Sequence, residues 1–333
     1  MFKRSVETSA NPDVTVVAGM GSLQVRGESE SEVRLQAREE ADETSLQRDG
    51  DAVVISLGSD GTLICPRGAA VTIERILGNL NVDDLTGPLT VGTVHGNAML
   101  VEVAAVTLDE ALGNLGARGV AGDLVADEVK GNARVHGVSG CLTLGQVAGN
   151  LTTDGAQDGM DVERVRGNVR LGPVLTAGSS YRVSASGNLT LILPPEPNLR
   201  LALRAAGHVS SQIPGLRLET TDDETRAMLG GGKGVVEADV QGNVVLGSPE
   251  AAEPFAADGR LAELGAQIEW QVHEAMASLA ARLESKLGGL DPELTRQRIE
   301  RASEEARRKA EQAAERARMR AERAERRWQR ASG

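Results

Sequence analysis

Gly78-Asn79, Gly96-Asn97, Gly113-Asn114, Gly131-Asn132, Gly149-Asn150, Gly167-Asn168 and Gly187-Asn188 repeat one dipeptide seven times in the middle of a 333-residue chain. The steps between them are 18, 17, 18, 18, 18 and 20 residues. A period this regular implies one short structural unit stacked on copies of itself. Each repeat divides again into two similar halves, as in Gly78-Asn-Leu-Asn-Val-Asp-Asp-Leu-Thr86. Leu80, Val82 and Leu85 fill the apolar slots of that half, and Leu89, Val91 and Val94 fill those of the next. Their alternation marks a short strand with one buried face, and the step before the third apolar residue breaks the period of two, as a turning chain must.

The expected fold is mainly β, a single-stranded parallel β-solenoid with coils of about 18 residues. Its strands would pair from coil to coil at about 4.8 Å. The repeated glycines read as bend residues that need positive φ. Asn79, Asn97, Asn114, Asn132, Asn150, Asn168 and Asn188 then form a column, read as a structural ladder of stacked amides rather than a binding stripe. Composition agrees with a thin stack: 40% of the chain is hydrophobic but only 2% is aromatic. A narrow interior can be filled with Leu, Val and Ala, without the area that rings bury.

The flanks are less regular. Residues 12–77 and 188–247 contain alternating strands broken by Gly, Asp and Pro, and read as atypical coils that cap the stack. Past Ser248-Pro-Glu-Ala-Ala-Glu-Pro254 the period changes. Leu261, Leu264, Ile268, Val272, Ala275, Leu279, Leu283 and Leu287 recur at helical spacing, and Gly288-Gly289 stops them. Asp291 and Pro292 suit the start of a second helix, whose Ala stripe repeats at eleven residues through Trp328. The expected domains are an N-terminal tail at 1–11, the β-solenoid at 12–249, a linker at 250–257 and a helical C-terminal region at 258–333. That region reads as an α-helical hairpin or coiled-coil-like arm, the surface through which a homo-oligomer or a protein partner would be held.

Residues 1–249 hold 32 acids and 20 bases, while 291–333 hold 9 acids and 13 bases. An acidic body argues against nucleic acid as a partner. The basic tail, with Arg307-Arg-Lys309 and Arg326-Arg327, admits weak membrane binding, but its interleaved acids favour ion pairing within the helix. The N-terminus has charge with no apolar run behind it, and no stretch of 18 apolar residues occurs, so the default expectation is a cytoplasmic protein.

Four acids stand out. Asp109-Glu110 and Asp127-Glu128 occupy matching slots of adjacent repeats, on one outer face. They could bind Ca²⁺ through oxygen ligands or act as paired carboxylates on a sugar. The flanking repeats place Gly92-Thr93 and Gly145-Gln146 there, so a solvated acidic face is the favoured reading. Leu229-Gly-Gly-Gly-Lys-Gly234 lacks the first glycine and the Ser/Thr of a phosphate loop and reads as a tight turn. Gly19-Met-Gly21 is an incomplete dinucleotide fingerprint. His95, His136, His208 and His273 have no metal-ligand spacing, and Cys65 and Cys141 read as inert core thiols. No cofactor is expected and no catalytic constellation is assembled, so the expectation is not an enzyme.

The half-repeats, together with Asn11-Pro-Asp-Val-Thr-Val16, Gly21-Ser-Leu-Gln-Val-Arg-Gly27, Leu63-Ile-Cys-Pro-Arg-Gly-Ala-Ala-Val71 and Gln241-Gly-Asn-Val-Val-Leu246, resemble the bacterial "putative adhesin" solenoid domain, a family of unknown function. The resemblance covers about residues 1–248 and implies surface adhesion only through the family's name. The functional expectation is a non-enzymatic scaffold or assembly protein. Its rivals are an adhesive or ligand-binding module for a polysaccharide, surface or cation, and a carbohydrate-active β-helix enzyme.

Overall fold

The computed structural model describes residues 2–38, 44–213, 215–221 and 224–248. All of them fall in the first of two compact units, Met1–Ala252. The linker expected at 250–257 and the helices expected over 258–333, from Leu261 to Trp328, lie outside the described residues. Within them the protein is mainly β, without a helix.

The N-terminal strands are β1 (Phe2–Glu7), β2 (Asp13–Gly19), β3 (Leu23–Glu28), β4 (Glu32–Ala37), β5 (Ser45–Asp49), β6 (Ala52–Leu57), β7 (Gly61–Pro66) and β8 (Ala70–Ile76). The regular region holds β9 (Leu80–Leu85), β10 (Leu89–Val94), β11 (Ala98–Val103), β12 (Val106–Ala111), β13 (Leu115–Val120) and β14 (Leu124–Val129). It continues through β15 (Ala133–Val138), β16 (Cys141–Val147), β17 (Leu151–Ala156), β18 (Gly159–Val165), β19 (Val169–Leu175), β20 (Ser180–Ala185) and β21 (Leu189–Ile192). The closing strands are β22 (Leu199–Ala205), β23 (Val209–Ser211), β24 (Glu219–Thr221), β25 (Glu224–Leu229), β26 (Gly234–Val240) and β27 (Val244–Gly247).

From β8 to β21 successive strands alternate between two sheets. Each strand up to β19 pairs in parallel with the strand two places on, so that Leu80 faces Ala98, Ala98 faces Leu115, and Leu89 faces Val106, while β20 and β21 pair with β26 and β27. The first, third and sixth residues of the six-residue strands β9 to β15 are buried, as in Leu115, Ala117 and Val120. Burying an aliphatic side chain of this kind contributes about 1.5–3 kcal/mol. The short 17-residue step is absorbed at a corner, Ala104-Ala105, without moving the strand register. The 20-residue step is absorbed by a register shift between β17 and β19, by the corner after Leu175, and by a one-residue shift in the opposite sense between β18 and β20. Tyr181 fills the interior there, fully buried. Its hydroxyl donates to the Ala156 carbonyl at 2.9 Å and accepts from the Thr176 N–H at 2.7 Å, which satisfies the polar end of a large ring.

Both ends of the unit are built differently from its middle. Strands β2 and β3 lie one layer in, β2 between β6 and β8 and β3 between β7 and β9. At the other end β26 lies between β20 and β22, and β27 between β21 and β23. Antiparallel strands β1, β4 and β5 finish one end, and β24 and β25 the other. Three of the four sheet edges are thus antiparallel strands, β1, β5 and β24, and the fourth is β23, parallel to β27. Residues 2–7, set apart from sequence as part of a tail, are strand β1, which pairs with β4 and buries Phe2. Its exposed Lys3 and Arg4 discourage a further strand from adding at that edge.

The glycines of the Gly-Asn pairs correct a second expectation. None of them has the positive φ proposed for a bend. A Cβ on Gly131 would lie 2.6 Å from the Asn114 Oδ1 and 2.6 Å from the Gly113 carbonyl oxygen, inside any tolerable contact. The residue is small because two corners stack closely, with Gly131 N–H donating to the Gly113 carbonyl at 2.9 Å. Positive φ falls at the fifth position of β9, β11, β13, β15 and β17: Asp84 (60°), Glu102 (50°), Gly119 (67°), Gly137 (66°) and Gly155 (104°). The first two rungs of that column hold acids in a conformation that costs a residue with a Cβ about 1–2 kcal/mol.

Gly131→Ala is therefore expected to destabilise the protein by about 1–3 kcal/mol. Glu102→Gly is expected to stabilise it by up to about 1 kcal/mol, the left-handed strain relieved less the added chain entropy. Urea denaturation of each variant gives both signs, and a neutral Gly131→Ala would contradict the close-stacking account.

Candidate functional site

The residues that dominate the surface chemistry sit at the corners and on the outer positions of the strands. At the Gly-Asn corner the side-chain oxygen of each asparagine accepts the backbone N–H of the next. Asn97 donates to Asn79, Asn114 to Asn97, Asn132 to Asn114, Asn150 to Asn132, Asn168 to Asn150 and Asn188 to Asn168, all at 2.8–2.9 Å. Amide–amide bonds from Nδ2 to the same oxygens reinforce several rungs, as from Asn132 to Asn114 at 3.2 Å. The column runs beyond the seven residues singled out from sequence. Asn243 donates its N–H to the Asn188 Oδ1 at 2.8 Å, and His208 donates to Asn243 at 2.9 Å. At the other end Asn79 N–H reaches the Ser22 hydroxyl at 3.1 Å, and Ser22 N–H reaches Asp60 at 2.7 Å. The side chains in this column already accept bonds from their own chain, which makes it a structural element before it is a binding surface.

The four acids are brought together as the repeat demands. Glu110 faces Glu128 across β12 and β14, and Asp109 and Asp127 stand beside them, exposed. Sequence reasoning missed Lys130. Its ammonium lies 2.5 Å from Glu128 and 3.8 Å from Glu110, so a cation from the chain itself sits between the two glutamates. Among the described residues no group of three or more acids, histidines or cysteines is arranged to hold a metal ion. In the neighbouring rungs Thr93 and Gln146 occupy the positions of the glutamates.

Other candidates fall apart in space or change meaning. The run Leu229–Gly234 carries the chain across the start of β22. Leu199 pairs with Leu229 on one side and with Gly234 on the other. Lys233 N–H donates to the Asn198 side chain at 3.1 Å, and a Cβ on Gly230 would lie 2.9 Å from the Pro197 carbonyl oxygen. The glycines there make the tight turn expected from sequence, with Gly232 N–H donating to the Leu229 carbonyl at 3.2 Å and positive φ at Gly230 (58°) and Gly232 (62°), and they let the two backbones pass closely. Gly19 ends β2 with no helix after it. His136 lies 3.7 Å from Asp154, whose carboxylate also accepts the Gly137 N–H. His95 and His208 are exposed on other rungs, and His273 lies outside the described residues. A shallow concavity that the sequence did not reveal is lined by Arg26, Asp83, Asp84, Val101 and Glu102, around the two left-handed acids. Arg67 pairs with Asp84 at its rim, 3.6 Å away.

The two thiols differ. Cys65 is buried, and burial pushes its pKa up to about 12. Cys141, expected in the core, is exposed. It is the first residue of β16, and Leu142 and Leu144 take the inward positions instead. Local desolvation, with Asp123 and Asp158 nearby, raises its pKa too.

No family model matches the chain, and no curated protein matches it, so the family that its motifs resemble is not shown. The chain is similar to a solved "putative cell adhesion protein" from Clostridium sporogenes, with 13% identity, 74% of this chain and 98% of that chain covered, and a TM-score of 0.20. A score that low carries neither fold nor function to this chain.

In the folded protein one thiol, Cys141, is expected to react with a soluble disulfide reagent, and Cys65 only after unfolding. Because the Cys141 pKa is raised, the native reaction accelerates as pH rises beyond the ordinary thiol range, where its thiolate forms. Two fast-reacting thiols in the native protein would contradict the burial of Cys65.

Proposed function

We propose that this protein is a non-enzymatic scaffold, in which the described strands form a parallel β-solenoid and the C-terminal region associates with a second copy or another protein. The observation that supports the reading is the parallel pairing of alternate strands in two sheets from β8 to β21, shifted in register only at β17–β19 and β18–β20 and tied at one corner by the asparagine column. Alternation of the chain between two sheets with parallel pairing to the next repeat is what a single chain wound into coils produces. Each coil adds about 4.8 Å and presents three outward positions per strand at fixed spacing. Such a stack resists bending, because moving one coil breaks hydrogen bonds in both sheets and at the corner together. Its chemistry is display: the outer side chains are held in rows, and the asparagines and Lys130 spend their polar groups on the chain itself.

Light scattering coupled to size-exclusion chromatography, run at 0.5 M salt on the full chain and on residues 1–252, tests the division of labour. The full chain is expected to elute with the mass of an oligomer, and 1–252 with that of one chain. Single-chain masses for both would remove the C-terminal region as an association device.

A further inference from the structure

A depression of about 470 Å³ opens on the outer face of β18, β20 and β26. Its floor is the end of β20, Ser184 to Ser186. One wall is Arg164 and Arg166, at the end of β18 and on the corner after it, and the other is Asp239 and Gln241, placed in the same way on β26. The floor is low for two reasons. Strand β20 is one residue short, since the pairing passes from Val162–Val183 to Val165–Ala185 and leaves both Glu163 and Arg164 opposite Ser184. The residues it does present there are small serines. The walls stand two strand spacings apart, about 9.6 Å between backbones. Arg182 closes one end of the trough, 3.7 Å from Asp161 on the first wall strand and 3.4 Å from Glu237 on the second. Among the described residues, the side chains of Arg164, Arg166, Ser184, Ser186, Asp239 and Gln241 make no hydrogen bond or ion pair with the chain.

We propose that this trough binds a hydroxylated monocarboxylate, the chemistry of a hexuronic acid, free or as a residue of an acidic polysaccharide. Net charge does not single the site out. Glu163 stands beside Arg164, Arg204 faces Asp239 from β22, and with the Asp161–Arg182–Glu237 group four arginines meet four carboxylates. The rung before the arginines holds Gln146 and Ala148, without charge. Selection therefore comes from placement. Two guanidinium forks side by side offer paired donors to a carboxylate. Across the floor Asp239 only accepts, so it calls for a donor such as a sugar hydroxyl, while Gln241 and the two serines can donate or accept. A bare anion leaves Asp239 without a partner, and a neutral sugar leaves the arginine pair without one. An amino acid carries its ammonium beside its carboxylate, too close to serve both walls. A sugar acid, with its carboxylate at one side of the ring and hydroxyls around the rest, serves both. The trough is open to water and has no aromatic side chain, so the binding is weak, in the millimolar range. This goes beyond the scaffold reading and uses no residue of the C-terminal region.

Saturation-transfer NMR titrations of the full chain test it. Galacturonate is expected to bind with a Kd of about 1–10 mM, and galactose, acetate and alanine about ten-fold more weakly or less. Tighter binding of trigalacturonate than of the monomer would mark a residue within a chain as the ligand, and the reverse the free acid; either supports the site. Arg164→Gln/Arg166→Gln is expected to weaken galacturonate about ten-fold or more, and Asp239→Asn to weaken it several-fold without weakening acetate. Ser184→Leu, which fills the floor, gives the same loss should the arginine variant fail to fold. Acetate or inorganic phosphate binding as tightly as galacturonate would reduce the trough to an anion patch and overturn the proposal. So would the absence of galacturonate binding, or binding that survives in a folded arginine or Ser184→Leu variant.

Discussion

Everything regular in this protein depends on how closely one corner can approach the next. Each asparagine oxygen receives an N–H from the following repeat, and that bond forms only where the preceding residue has no Cβ. A glycine at each rung allows the two corners to stack at hydrogen-bonding distance, and the strands on either side then fall into register. The corner is exposed, so each bond exchanges a partner in water for one in the chain and contributes about 1 kcal/mol at most. Repetition gives these bonds their weight: they point the same way along the column, and they hold the rungs at one spacing while the aliphatic interior provides most of the cohesion.

The ends obey a different constraint. A stack of parallel strands has two open edges, and an extra repeat would satisfy each only by exposing another. Placing β2–β3 and β26–β27 one layer inside the stack sets the first parallel strands, and the last strands of the described chain, between neighbours on either side. Antiparallel strands β1, β4, β5, β24 and β25 then finish three of the edges and parallel β23 the fourth, and β23 and β24 are each only three residues long. The crossing at Gly230–Lys233 is the local cost of that arrangement, since the chain must pass over the start of β22 to reach its inner slot.

Much of the middle was legible in the sequence because the relevant contacts are between equivalent residues about 18 apart. Leu80, Val82 and Leu85 could be assigned inward from their alternation alone, and the asparagine column from its period. The ends were not legible in that way. Pairing of Ser180 with Val235 joins residues far apart, and no period announces it. Gly242-Asn243 carries the same dipeptide as the ladder, yet its place beside Asn188 depends on the detour taken by the intervening strands. The glycines misled because one residue type serves two ends: at the Asn corner it removes a Cβ, and at Gly119 and Gly137 it supplies a left-handed backbone. Cys141 misled because neighbouring leucines suggested burial, while a shift of one position in the alternation puts it outside. Lys130 was missed as a partner of Glu110 and Glu128 because it lies beyond the strand, where the pattern of two no longer applies.

Deleting one whole repeat tests most directly whether the chain is wound in interchangeable coils. Removal of residues 113–130 joins Leu112 to Gly131, and the account predicts a folded protein with the same β circular dichroism and a cooperative melt. Removal of residues 113–121 alone brings the Asn corner against the opposite corner and is predicted to interrupt the ladder, with a clearly lower melting temperature. If the half-repeat deletion is tolerated as well as the full one, or if neither folds, the coils are not the interchangeable units claimed for them.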